Sequence, residues 1–85
     1  MKEKTIQIIE KYIGDALTAN DINIGHAAMC LEFTFGKEIH THIENFIAFA
    51  NQNGVDEGEI AFTLAHDVGG ALRNDKLMLP RVSSF

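Results

Sequence analysis

The residues whose chemistry could reach beyond packing are four histidines and a single cysteine. His66-Asp67 puts an imidazole beside a carboxylate, which could begin a divalent-metal site for phosphoester hydrolysis. Such a site needs further His and Asp ligands from separate helices. His26, His40, His42 and Asp75 are available, but no spacing pattern joins them to the pair. His26 and Cys30 stand four apart, so a helix would present both on one face as half of a zinc site, and His40-x-His42 could add ligands. No paired-cysteine or H-x₃-H pattern accompanies them, and Cys30 sits beside an apolar stripe, where free cysteine behaves as a small buried hydrophobe. The glycines form no dinucleotide fingerprint or Walker loop. The expectation is a chain with no catalytic residue, metal site or cofactor, and no enzymatic activity.

Four segments have the period of helices that would position these side chains. Over residues 3–18, Ile6, Ile9, Ile13 and Ala16 share a face, with Leu17 beside them. Asn20 and Asp21 read as a turn. Over 23–35, Ile24, Ala27, Ala28, Leu31 and Phe35 fall at helical spacing, and Gly36 stands in the C′ position. This second segment has a rival reading. Leu31, Phe33 and Phe35, then Ile39, Thr41 and Ile43, alternate as a hairpin over 30–43 would, turning at Gly36 and Lys37. Thr41 and Glu44 form a capping box for a third helix with the stripe Ile43, Phe46, Ile47 and Ala50, ended by Gly54. Asp56 and Glu59 cap a fourth helix, with Val55 and Ile60 as its hydrophobic staple. Its stripe is Ile60, Ala61, Leu64, Ala65, Val68 and Leu72, and Asn74 is the expected stop. Gly69 and Gly70 inside it each cost about 1 kcal/mol against Ala, so they mark either a close backbone neighbour or a softened last turn.

The 85 residues are 46% hydrophobic, enough for one core and too few for a second domain. With no Trp and one Tyr, the six Phe are expected to carry the aromatic core. The fold class expected is all-α, a compact four-helix single domain over 1–85 with an extended C-terminal tail; the alternative is α+β with the 30–43 hairpin. A lone cysteine excludes an internal disulfide. No secretory leader or spanning segment is evident, which points to the cytoplasm and away from a membrane. Seven basic against twelve acidic residues, a net charge of −5, argue against direct nucleic-acid binding and fit a partner with a basic surface. From residue 43 onward the basic residues are Arg73, Lys76 and Arg81, all at or after the end of the fourth helix. They offset a helix dipole or, with Phe85, form a contact surface. The apolar tail Leu77, Met78, Leu79, Val82 and Phe85 suggests a homodimer in which it lies along a second subunit.

From Thr63-Leu-Ala-His-Asp-Val-Gly-Gly through Leu79-Pro-Arg-Val-Ser-Ser-Phe85, the chain resembles small phage and mobile-element accessory proteins, which often end in a Pro-Arg-containing, aromatic-terminated tail. The resemblance covers this C-terminal part only. It implies an anti-defence protein of the anti-CRISPR kind, which binds and inhibits a host protein or complex in the host cytoplasm, and it carries over no functional residue. A second function class is sequestration of a small nucleotide-like ligand between subunits, with Arg73, Lys76 and Arg81 as the charge complement. A remote third is the metal-dependent phosphohydrolase built on His66 and Asp67.

Overall fold

A computed structural model describes residues 2–73. Four helices follow one another as α1 (Lys2–Ala19), α2 (Ile24–Phe35), α3 (Glu38–Gln52) and α4 (Glu57–Arg73), with no strand among the described residues. The all-α architecture is the one expected, and the hairpin alternative falls. Its apparent alternation does not define a face: Leu31 is fully buried, whereas Phe33 is 87% exposed. Ile39 and Ile43, four apart, are buried together on α3. The extended tail, including Lys76, Arg81 and Phe85, lies outside the described residues, as does the Asn74 stop.

The turns are set by local chemistry. α1 ends where Asp21 takes a left-handed φ of 63°, while Ile22 N–H donates to Leu17 O and Asp21 N–H to Thr18 O. These are the paired bonds of a Schellman motif. Asn23 then caps α2, its side chain accepting from His26 N–H at 2.9 Å. Gly36, at φ 88°, ends α2. A second Schellman motif closes α3, with Gly54 at φ 66° and Val55 N–H donating to Ala50 O. Asp56 Oδ2 accepts from Gly58 N–H at 2.9 Å, so the Asp56 half of the predicted cap of α4 forms.

Two local expectations are corrected. α3 begins at Glu38, three residues before Thr41, with Lys37 at its N-cap and no side-chain cap bond. The early start brings Ile39 and His40 into the core, and that burial outweighs the capping box that Thr41 offered. Gly69 and Gly70 admit no close neighbour, since a Cβ on either would meet nothing within 4 Å.

α2 packs against all three other helices, most extensively α4, and α1 also touches all three, whereas α3 and α4 barely meet. Ala27 and Ala28 on α2 are completely buried, and such small side chains let the neighbouring axes approach. Around them the core is aliphatic: Ile9, Ile13 and Leu17 from α1, Leu31 from α2, Ile39 and Ile43 from α3, and Ile60, Leu64, Val68 and Leu72 from α4. The expectation that phenylalanine fills the core is wrong. Of the five described Phe, only Phe46 packs even partly against it. No described helix is long and apolar enough to cross a membrane.

Candidate functional site

Two features of the surface and one of the interior stand out once the helices are in place. The interior feature is a polar chain that joins three helices. Thr5 on α1 is completely buried, and its Oγ1 lies 2.7 Å from His40 Nδ1 on α3. His40 Nε2 lies 2.7 Å from Glu32 Oε2 on α2. The hydrogen bond from His40 holds the Glu32 carboxyl below its ordinary range, with the imidazole's charge and those of Lys2 and Lys37 adding to it; desolvation works against them. An ionised carboxylate only accepts, so Nε2 carries the proton between them. At the other ring nitrogen the hydroxyl donates when Nδ1 carries no proton and accepts when it does.

Hydroxyl, imidazole and carboxylate stand in the order of a nucleophile, base and orienting acid. Access decides against that use. The Thr5 side chain has no exposed surface on which a substrate could meet it. The chain of bonds therefore reads as a tie: every buried polar atom in it has a partner, and each bond crosses from one helix to another.

The sequence candidates fall apart by comparison. His66 Nδ1 stands 3.7 Å from Asp67 Oδ1, with the His66 side chain largely in solvent. Cys30 is buried in the core and His26 is only half-buried. His40 is enclosed while His42 is exposed, so the H-x-H pair is split between core and solvent. Among the described residues no three His, Cys, Asp or Glu side chains cluster as a metal site would require. Arg73 is exposed at the end of α4, beside the groove described below. Lys76, Arg81 and Phe85 lie outside the described residues.

The first surface feature is aromatic. Phe33 on α2 is 87% exposed, Phe62 on α4 74% and Phe49 on α3 63%; Phe35 and Met29 are about half exposed. Met29 and Phe33 are four apart on the outward face of α2, so their side chains are neighbours. Scattered exposed leucines are ordinary on a soluble surface, but large aromatics held out from a small core are not.

The second is an apolar groove between α1 and α4. Ile13 and Ala16 form one wall, Ala61, Ala65 and Gly69 the other, and Phe62 borders it. Glu10 and Asp15 stand on its rim, and Lys11 turns its ammonium over the Tyr12 ring, 5.2 Å from the centroid. At its far end the groove reaches Leu72 and Arg73. Compared with protein-family models, curated proteins and solved structures, the chain matches none.

Proposed function

We propose that this chain is a protein-binding module that works by covering a partner's surface rather than by turning over a substrate. The observation that carries this reading is the outward placement of Phe33, Phe49 and Phe62. Aromatic side chains are enriched at interface cores and among the few residues that dominate binding energy. Exposing them to water is costly for solubility unless something covers them. The net charge of −5 directs the module toward a partner whose surface is basic around an apolar patch. The specific form that the C-terminal resemblance implies is a phage-type inhibitor occupying a host protein, such as a component of a defence complex.

The test places a photo-reactive phenylalanine analogue at positions 33, 49 and 62 in turn, with position 51 as an exposed control, in a bacterial host. A discrete protein adduct at one or more of the three positions, absent at position 51, is expected. A triple Phe→Ser variant should keep its fold and lose whatever inhibition of host defence the parent shows. No adduct above the control, together with full activity in the triple variant, would sink the reading. The same aromatic surface also suits self-association, and the homodimer expected from the sequence is the second reading. It predicts adducts between two copies and a molecular mass that falls on dilution.

A further inference from the structure

The geometry points to the groove between α1 and α4 as the docking site of the chain's own C-terminal segment, residues 76–85, folded back on the molecule that carries it. The first support is where the described chain ends. Arg73 stands at one end of the groove, so the chain beyond it starts beside the groove. The second is reach. From Leu72 back to Gly58 the groove follows α4 for about 21 Å at 1.5 Å per residue. The ten residues 76–85 span up to about 33 Å when extended, which covers the groove and leaves slack for the reversal.

The third support is chemistry. The groove offers the apolar walls of Ile13, Ala16, Ala61 and Ala65, whose alanines leave room for larger side chains. The segment brings Leu77, Leu79, Val82 and Phe85, and Pro80 prevents it from simply prolonging α4 as helix. Two carboxylates on the rim also offer the segment local ion-pair partners, although Lys11 and Arg73 line the groove as well. The segment carries Lys76 and Arg81 and no acid, while Glu10 and Asp15 stand on the groove rim and Lys11 is turned onto Tyr12. This inference stands apart from the proposed use of Phe33 and Phe49, which lie on other helices, and shares with it only Phe62, which borders the groove.

Limited trypsinolysis of the full chain, followed by mass spectrometry, tests it at the Lys76–Leu77 and Arg81–Val82 bonds. Cleavage of a docked segment follows its open fraction, so both bonds should be cut at least about tenfold more slowly than in a free peptide of residues 74–85. Ala65→Trp, at an exposed position, fills the groove and should restore rapid cleavage at both bonds. Leu79→Asp, outside the described helices, should do the same. Unchanged far-UV circular dichroism in both variants separates release of the segment from unfolding. Peptide-like cleavage of the parent chain would overturn the inference. So would protection that survives both substitutions. Protection lost on dilution would overturn it too, by placing the segment in the groove of a second copy.

Discussion

Thr5→Val isolates the interior tie more cleanly than any other single change. Threonine and valine share a β-branched shape and have nearly the same helix propensity, so α1 itself is little affected. The substitution exchanges a hydroxyl for a methyl at a site with no exposure, and His40 Nδ1, on a residue 3% exposed, loses its partner 2.7 Å away. Leaving a buried ring nitrogen unsatisfied costs about 1–3 kcal/mol, only partly offset by the added methyl. In a domain of this size each kcal/mol moves the melting temperature by about 4–8 °C, so a fall of about 4–24 °C is expected. Urea unfolding followed by circular dichroism should show a lower midpoint with an unchanged slope. The decisive arm is the His40→Leu background, where the hydroxyl has no nitrogen to serve. There Thr5→Val should cost little, giving a coupling of about 1 kcal/mol or more between the two sites. A loss below about 0.5 kcal/mol in the parent, or the same loss in both backgrounds, would refute the claim that the tie stabilises the fold.

Gly70→Ala should stabilise by about 0.5–1 kcal/mol in thermal unfolding, because the position is inside α4 and a Cβ there meets nothing within 4 Å. Asp56→Ala should destabilise by about 1 kcal/mol through loss of the bond to Gly58 N–H, measured by the same melt. The pH dependence follows from Glu32, whose folded pKa lies below its ordinary 4.5. Its contribution is complete above that ordinary value and disappears as pH falls through the lowered folded one. Between neutral pH and the acid range below 4.5, the parent should therefore lose more stability than Glu32→Gln, as read by urea midpoints at each pH.

The apolar stripes of α3 and α4, apart from the exposed Ala65, are legible because aliphatic residues recur there at three and four positions apart, and Asp56 and Gly54 are legible because caps act locally. Thr41 misled for the same local reason. Its capping box is a sound motif, but the helix start was decided by what Ile39 and His40 could bury. Thr5 escapes notice because a hydroxyl on an apolar face lowers the periodic signal: the spacing draws the face of α1 through Ile6 and Ala16 as well as Ile9 and Ile13, with Leu17 beside it, whereas the buried face is Thr5, Ile9, Ile13 and Leu17. The partnership of Thr5, His40 and Glu32 spans three helices, and no spacing along the chain encodes it. The exposed phenylalanines are a different matter. Phe33, Phe49 and Phe62 all fall off the helical stripes written for their own segments, so their outward placement was legible; counting aromatics by composition concealed it.

The tie and the phenylalanines follow from one packing solution. With Ala27 and Ala28 buried on the central helix, α1 and α4 close down on α2, and the space between them suits isoleucine, leucine and valine rather than rings. Forcing a further ring inward would overpack such a core, so Phe33, Phe49 and Phe62 have no interior site to occupy. Aliphatic packing alone tolerates rearrangement of helices around one another, because dispersion contacts are weakly directional. Hydrogen bonds are directional, and the bonds from Thr5 to His40 and from His40 to Glu32 favour one arrangement of α1, α2 and α3. A register fixed in this way holds Phe33 on α2 and Phe49 on α3 at constant spacing. A preorganised surface loses less entropy when it is covered than one that must first assemble its anchors.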